Sequence, residues 1–343
     1  MTTYFISPTG NDTTGNGTQI SPWLNLFKAE GVALPGDTIF CRGGNYGAQS
    51  VIWEASGTVG NVITVDAFEN EIPIFSAPLS PNLNFITLDK ASYATFRRLE
   101  VTGYKNMIHT DGCPRDGDLA VCGGVDIPAT NIIIEENNIH DTISHAIYIS
   151  GTSEDVIIRN NILRDPGQPE GQFGIQHCIQ LWHGRPAKRV DIYNNICIGG
   201  NHGIILAKDW PPDVQENVNI FNNLFYENNM SGVSIWGTVP PIGHKVKNNI
   251  FVNSINGAQC IAAPFASTGQ LAGITFDHNL YHKTGTGNFA ELTDVNYTTF
   301  NAWKAGTGQD TNSLEGDPLF VNQALEDFHL QAGSPAIDMG VAT

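Results

Sequence analysis

The sequence predicts an all-β chain that folds as a single-stranded right-handed parallel β-helix, a solenoid of stacked coils with a short N-terminal capping helix. Three observations predict this fold. A strand pattern recurs six times in the centre of the chain, an Asn-Asn pair ends nearly every copy, and a second apolar strand follows in each coil. The composition agrees, because 36 Gly, 18 Pro and only 15% charged residues favour strands and tight turns over helices.

The repeated segment alternates apolar and polar residues and then turns at the asparagines. The six copies begin at Asn131, Asp155, Arg189, Asn217, His244 and Gly273. Their ladder asparagines are predicted at Asn138, Asn161, Asn195, Asn223, Asn249 and Asn279, at intervals of 23 to 34 residues. Asn tolerates the left-handed backbone region, and its amide can bond to the Asn one coil away. We therefore predict a structural asparagine ladder.

Weaker copies of the pattern occur upstream and place the first coil near residue 38. In one of them, Arg97 and Arg98 take the place of the asparagine pair. We predict a single domain with an N-terminal strand and capping helix in residues 1–37, coils in 38–290 and a C-terminal cap in 291–343.

A short helix is predicted before the coils. Ser21 and Pro22 are typical of an N-cap and a first helical residue. Trp23, Leu26 and Phe27 would then form one apolar face, and this face would cover the open N-terminal end of the solenoid.

The charge balance excludes several classes of partner. The formal net charge is −17, which repels a phosphate backbone, so we expect no nucleic-acid partner. No run of eighteen apolar residues occurs, so no membrane insertion is expected. No P-loop or dinucleotide fingerprint is present, and we expect no organic cofactor.

The two ends of the chain resemble a known superfamily. The opening YFISPTGNDTTGNGTQISPWLNLFKA with LPGDTIFCRGGNY, and the closing DPLFVN with FHLQAGSPAIDMG, are similar to those of secreted right-handed β-helix proteins related to pectate lyases and alginate lyases. The resemblance implies an extracellular protein with a polysaccharide partner. It also implies a lyase reaction in which a Lys or Arg base removes the proton beside a uronate carboxylate, with Ca²⁺ or a basic side chain neutralising that carboxylate. None of the local reaction motifs of these enzymes is matched.

The densest basic and aromatic cluster lies just beyond two consecutive second strands. It contains His183, Arg185 and Lys188 on one coil and Lys208, Asp209 and Trp210 on the next. A cluster that opposes the overall charge suits an acidic sugar. We assign Lys208 as candidate base, Arg185 as carboxylate neutraliser and His183 as acid or base. An ordinary solvated loop is the alternative.

A row of side chains is predicted to face solvent on the second strands, between inward-pointing Ile, Leu and Val residues. The row contains Tyr148, Gln180, Trp182, Ser234 and Trp236. Exposed aromatic rings on successive coils are surfaces on which sugar rings stack. Packing beneath a loop is the alternative.

Three histidines open consecutive second strands, namely His145, His177 and His202. Strands one coil apart are spaced by about 4.8 Å, so the rings are expected to stack. They are candidates for proton transfer or metal binding. Because their parity matches the inward Ile residues, a buried corner ladder is the alternative. His140 is a further candidate acid or base from a loop.

An acidic insertion between Lys105 and Pro128 is a candidate Ca²⁺ site. Its carboxylates are Asp111, Asp116, Asp118 and Asp126. Cys113 and Cys122 flank the same loop and are close enough in sequence for a disulfide to close it. A solvated acidic loop with two ordinary thiols is the alternative. The cysteines at 178, 197 and 260 lie in apolar strand patterns and are expected to be buried thiols.

Three functions from different classes follow. The leading hypothesis is a polysaccharide lyase acting by β-elimination on a uronate-containing polymer. A non-catalytic carbohydrate-binding or adhesive β-helix, including a viral tailspike-like protein, is the second, and a glycoside hydrolase is the third. We expect a secreted monomer whose signal peptide is absent from this sequence, or a trimer on a virion surface.

Overall fold

The computed structural model describes residues 1–78, 83–105, 108–110, 129–149, 153–165, 176–181, 187–207, 215–237, 242–264 and 267–343. The chain is a right-handed parallel β-helix, as predicted. Three ten-stranded sheets run along it, and each coil contributes one strand to each sheet.

The three sheets are named here in the order in which a coil visits them. Sheet A contains Thr3–Ile6, Thr38–Cys41, Ile63–Ala67, Ser92–Arg97, Thr130–Glu135, Glu154–Arg159, Lys188–Tyr193, Glu216–Phe221, His244–Lys247 and Ile274–Asp277. Sheet B contains Gly44–Asn45, Pro73–Ser76, Glu100–Thr102, Asn138–His140, Ile162–Arg164, Ile196–Ile198, Leu224–Tyr226, Ile250–Asn253, Leu280–Lys283 and Leu314–Glu315. Sheet C contains Val51–Trp53, Ile86–Leu88, Ile108–Thr110, Ile147–Ile149, His177–Leu181, His202–Ala207, Ser231–Trp236, Gln259–Ala263, Ala290–Leu292 and Asn296–Tyr297.

Pairing within the sheets is parallel, except that Asn296–Tyr297 is antiparallel to Ala290–Leu292. An antiparallel hairpin, Phe320–Asn322 with Asp327–Leu330, follows the sheets. The helices are Leu26–Glu30 and Phe300–Thr307, with 3₁₀ turns at Thr268–Gly273 and Gln323–Leu325. Sheet A begins at Thr3 and sheet B ends at Glu315, so the parallel stack extends beyond the predicted coil bounds of 38 and 290.

The asparagine ladder forms at the turn from sheet A to sheet B. In each turn the first residue adopts the left-handed conformation, with φ between 55° and 59° from Arg98 to His278. The second residue is buried, and its amide bonds to the next coil. The ladder consists of Asn137, Asn161, Asn195, Asn223, Asn249 and Asn279.

Two predicted ladder positions are therefore wrong by one residue. Asn137 occupies the first rung, whereas Asn138 begins a strand of sheet B and pairs with Ile162. One coil earlier the rung position is Leu99, whose backbone N–H donates to Asn137 Oδ1 at 3.0 Å. In these two coils the sequence alone does not show which residue makes the turn and which is the rung. The left-handed turn residue, Arg98 or Glu136, fixes the register.

The N-terminal helix begins four residues later than predicted. Trp23 is held in extended backbone because its N–H donates to Phe5 O at 3.1 Å and its carbonyl accepts from Ser7 N–H at 2.8 Å. A helix cannot start at Pro22 while residue 23 pairs with the first strand. The N-cap is Asn25, and Leu26 is buried, whereas Phe27 is 65% exposed instead of lying on the apolar face.

The C-terminal hairpin covers part of the outer face of sheet B. Phe320 packs with Leu224 and Val252, which point out of the solenoid. Arg164 forms an ion pair with Glu326, and Asn248 Nδ2 donates to Val341 O at 2.7 Å. The tail therefore runs back across several coils.

The three predicted buried thiols are confirmed, since Cys178, Cys197 and Cys260 are free and buried. Within the described part of the chain, no helix is long and apolar enough to cross a membrane.

Candidate functional site

Many of the predicted site residues lie outside the described residues. They are Trp182, His183, Arg185, Lys208, Asp209 and Trp210, together with Asp111, Cys113, Asp116, Asp118, Cys122 and Asp126. The strand that ends at Leu181 directly precedes residue 182, and the strand that ends at Ala207 directly precedes residue 208. The site can therefore be built from the strands of sheet C.

In the middle of sheet C, the second and third residues of each strand both point inward. Cys178 Sγ contacts the carbonyl of Leu163 at 3.7 Å inside the solenoid. Its equivalent one coil on is Gly203, where an added Cβ would lie 2.4 Å from the buried Phe225 ring. The next residue in each strand, Ile179 or Ile204, is also in the core. Strict alternation is thus broken at this point.

The three histidines consequently lie on the outer side of sheet C. His202 precedes the inward Gly203, and its ring centroid lies 6.1 Å from that of Trp236. Trp236 Nε1 donates to Ser234 Oγ at 2.7 Å, and Ser234 is an outward residue between Val233 and Ile235. The prediction that the histidines share the parity of the inward Ile residues is wrong, because that count assumed unbroken alternation.

The histidines form a continuous aromatic column. Its rings contact one another in the order Tyr148, His145, His177, His202 and Trp236. The first three are stacked, His202 is tilted against His177, and Trp236 meets His202 edge-on. The centroid distances between neighbouring histidines are 5.1 and 4.9 Å, close to the spacing expected for one coil. We call this set the histidine column. All three imidazoles are at most 3% exposed.

The hydrogen bonds of His202 define which of its ring nitrogens can accept a proton. His202 Nδ1 lies 2.7 Å from Ser231 Oγ, and Ser231 Oγ donates to the Val233 carbonyl at 3.2 Å. A hydroxyl has one hydrogen, so both contacts are satisfied when His202 Nδ1 carries a proton and donates to Ser231. This tautomer leaves a lone pair on Nε2, which has no hydrogen-bond partner among the described residues.

Burial keeps His177 and His202 uncharged at neutral pH. Desolvation lowers the pKa of His202 to about 4. Desolvation also lowers the pKa of His177 well below its usual value, and the neighbouring His145 and His202 add to the effect. The buried Nδ1 of His177 likewise has no hydrogen-bond partner within the described ranges. Uncharged imidazoles that retain a lone pair can accept protons.

The predicted solvent exposure of the outward row is wrong for two of its described members. Gln180 is 2% exposed, and Ser234 is fully buried. Ile205 lies between them in the row and is also buried. Tyr148 and Trp236 are partly buried. Among the described rings of the histidine column, only these two reach the surface, and they lie at its two ends.

Two predicted residues lie elsewhere. Lys188 begins a strand of sheet A, and its Nζ lies 3.1 Å from a carboxylate oxygen of Glu216. His140 ends a strand of sheet B instead of lying on a loop, and its Nδ1 lies 2.7 Å from Asp141 Oδ2. Neither residue joins the histidine column.

Carboxylates are scarce among the described residues around the column. In the described outward row of sheet C the one carboxylate is Glu291, which accepts from Gln259 Nε2 at 3.0 Å. Glu291 lies three coils from His202. Among the described residues no group of three or more His, Cys, Asp or Glu side chains could hold a metal ion.

Sequence reasoning missed one member of the site. Ser231 aligns with His202 in the parallel register and fixes the tautomer of the imidazole. Its position at the start of SGVSIW, where earlier coils have His, was the available signal.

Comparisons with known proteins agree with this fold. Residues 4–165 match the family described as Pel9A-like, right handed beta helix region. The uncharacterized protein YwoF of Bacillus subtilis is 27% identical over 200 residues, which form 55% of this chain and 40% of that protein. The chain thus matches less than half the length of that relative.

Several solved structures share the architecture. Pectate lyase Pel9A aligns with 100% of this chain and 92% of its own, with a TM-score of 0.61 and 14% identity. An alginate lyase from Paenibacillus aligns over 92% and 98% of the two chains, with a TM-score of 0.50 and 15% identity. A lacto-N-biosidase from Eubacterium ramulus aligns over 91% and 66%, with a TM-score of 0.50 and 12% identity. The predicted resemblance to the pectate lyase and alginate lyase superfamily is confirmed at the level of fold.

Proposed function

We propose that the protein is a polysaccharide lyase that cleaves a uronate-containing polymer by β-elimination on the outer side of sheet C. The histidine column carries this proposal, because it places uncharged proton acceptors on the strands that lead into the predicted basic cluster. The fold shared with pectate and alginate lyases supports it.

The scarcity of carboxylates favours elimination over hydrolysis. A hydrolase needs two carboxyl groups that flank the glycosidic bond. The described outward row of sheet C has only Glu291, which lies three coils from His202. Elimination needs a base, an acid and a group that neutralises the uronate carboxylate, and none of these has to be a carboxylate.

The proposed reaction breaks two bonds and forms one double bond. A base removes the proton at C5 of the uronate, and the released electron pair forms the C4–C5 double bond. The C4–O4 bond breaks at the same time, and O4 takes a proton from an acid. The products are one shortened chain with a new hydroxyl and one chain with an unsaturated terminal sugar.

The residues divide these roles as follows. Lys208 is the proposed base, Arg185 the carboxylate neutraliser and His183 the acid, as the sequence predicts. His202 Nε2 is a second proposed proton acceptor, held in the correct tautomer by Ser231. A uronate carboxylate entering beside the column would raise the imidazole pKa toward neutral, because an opposite charge favours the imidazolium. Tyr148 and Trp236 are the proposed sugar-stacking rings.

A lyase assay tests the proposal directly. Alginate, pectate and glycosaminoglycans are incubated with the protein while the ultraviolet absorbance of the unsaturated product is recorded. We expect activity on at least one polymer and a loss of at least about 100-fold in Lys208→Ala and His202→Gln. Lys245→Ala and His329→Ala, at exposed positions, are the matched controls and should keep full activity.

The other outcomes each contradict the proposal. New reducing ends without the absorbance would indicate a hydrolase. Glycan binding that survives Lys208→Ala and His183→Ala, with no product, would indicate a binding or tailspike-like protein.

We further propose that the acidic insertion binds Ca²⁺ through Asp111, Asp116, Asp118 and Asp126, whose oxygens suit this cation. Calorimetric titration with CaCl₂ should show one site that is lost in the double variant Asp116→Asn with Asp118→Asn.

We also propose an extracellular or virion-surface location. Sedimentation should give a monomer, or a trimer for a tail component.

A further inference from the structure

A groove of about 550 Å³ runs across the outer face of sheet A, away from the histidine column. Its rim is formed by the second residue of consecutive strands, from Tyr93 through Asn131 and Asp155 to Arg189 and Asn217. Its floor includes the outward residues Ile133, Ile157, Asp191 and Asn219. No motif in the sequence pointed to this face.

The shape of the groove follows from the backbone. Each of the five rim residues adopts the left-handed conformation, with φ between 53° and 56°. Residues 131, 155, 189 and 217 are skipped in the pairing of neighbouring strands. The same kink therefore recurs on five coils and extends parallel to the solenoid axis for roughly 19 Å. The cavity is long enough for a linear ligand, and its volume lies in the range of small-molecule sites.

One end of the groove is apolar. Tyr93 and the floor residues Ile133 and Ile157 are partly exposed there. Val59, on the turn that closes this end, is 78% exposed. That turn is held in place because Gly57 N–H donates to Ser92 O at 2.8 Å, next to Tyr93.

The other end offers planar polar groups. Asn219 Nδ2 donates to Asp191 Oδ1 at 2.8 Å. This pair occupies adjacent coils and leaves Asp191 Oδ2 and Asn219 Oδ1 as further acceptors. Asn217 lies on the rim beside them.

The charges of the groove disfavour an anion. Arg189 is the one cation in the lining, and its guanidinium is already held by Asp155 at 2.6 and 2.9 Å and by Glu154 at 2.7 Å. Asp191 adds a further negative charge. A uronate would meet this surplus of carboxylates without a free cation in the described lining, whereas an uncharged sugar would not be repelled.

We propose that this groove binds a neutral, linear oligosaccharide. Tyr93 and the aliphatic floor would contact the apolar faces of sugar rings, and the Asp and Asn side chains would bond to hydroxyl groups. The site does not depend on lyase activity at sheet C, because it uses a different sheet and favours uncharged sugars over acidic ones. On a mixed polymer it would hold neutral segments while sheet C acts on uronates.

Calorimetry with neutral hexasaccharides of xylose, mannose, glucose and galactose tests the proposal, with hexagalacturonate as the acidic probe of equal length. The titrations use the Lys208→Ala background, so that the proposed lyase reaction does not consume the acidic probe. We expect at least one neutral probe to bind and to lose affinity in the groove variants. Hexagalacturonate, which the proposed site on sheet C would also bind, should bind equally well with and without the groove substitutions. Tyr93→Asn keeps a residue suited to positive φ and removes the ring, so binding should weaken about tenfold. Asp191→Ala should weaken it as well.

Thr275→Ala is the matched control, since Thr275 is an exposed outward residue of sheet A beyond the groove. Thermal unfolding of every variant verifies that the fold is intact. The proposal is overturned if no neutral probe binds, if the groove substitutions weaken hexagalacturonate binding as much as neutral binding, or if both folded variants bind the neutral probes as tightly as the protein without these substitutions.

Discussion

The asparagine ladder and the histidine column are both stacks of like side chains repeated coil by coil, yet they differ in how their polar atoms are satisfied. Asn195 Nδ2 donates to Asn223 Oδ1 at 3.0 Å and to Ile158 O at 2.9 Å, and its Oδ1 accepts from Asn161. In the column, His177 Nδ1 and His202 Nε2 are buried without a hydrogen-bond partner among the described residues. The first stack stabilises the solenoid, and the second carries a cost that a chemical role would explain.

The largest effect is expected in the ladder. Asn195→Ala removes several buried hydrogen bonds and leaves the Ile158 carbonyl and the amide of Asn161 without their partner. Unfolding free energy should fall by about 3–5 kcal/mol, measured by denaturant titration. Asn194→Gly, at the exposed left-handed residue beside it, should change it by less than about 0.5 kcal/mol. Equal effects of the two variants would contradict the distinction between turn residue and rung.

The pH dependence of stability should reveal the column. The pKa of His202 is lowered to about 4 in the folded protein, so the unfolded chain binds more protons between pH 4 and 6.5. The contribution of His202 to the free energy of unfolding is therefore constant above about pH 7 and falls as the pH drops through this window. At pH 5 this residue alone should cost about 2 kcal/mol. His202→Phe should flatten the curve by that amount, and His329→Ala, at an exposed site, should not.

A smaller change in stability, toward a more stable protein, is expected from a substitution at the centre of the column. His177→Phe keeps a stacked ring and removes an unpaired buried nitrogen. Stability at pH 7 should stay level or rise by about 1 kcal/mol, while the proposed lyase activity falls. A loss of more than about 2 kcal/mol would show that the column is built for stability, like the ladder.

The smallest effect is expected away from both stacks. Lys188→Ala removes a partly exposed ion pair with Glu216 on sheet A. Such pairs contribute less than about 1 kcal/mol, and adding salt should reduce the difference further. A large loss of stability would mean that this edge of sheet A matters as much as the ladder.

The fold was predictable because the asparagine turn has a local cause, a left-handed residue followed by a buried amide. The side on which the histidines lie was not, because it depends on two consecutive inward residues such as Cys178 and Ile179. That kink reflects packing against residues of sheet B, namely Leu163 on the same coil as Cys178 and Phe225 on the coil after that of Gly203. The predicted exposure of Gln180 and Ser234 was wrong for a similar reason. A strand pattern indicates on which side of the sheet a side chain lies, but not what covers it.

The returning C-terminal tail has a consequence for biosynthesis. Contacts between neighbouring coils join residues that are close in sequence, so coils can form in order as the chain leaves the ribosome. The tail bonds Asn248 to Val341 and Arg164 to Glu326, across 93 and 162 residues. It can dock only after residues 320–341 have been synthesised. Until then Leu224 and Val252 stay uncovered. A chain that ends before residue 320 would therefore expose an apolar strip that quality-control proteases and chaperones recognise.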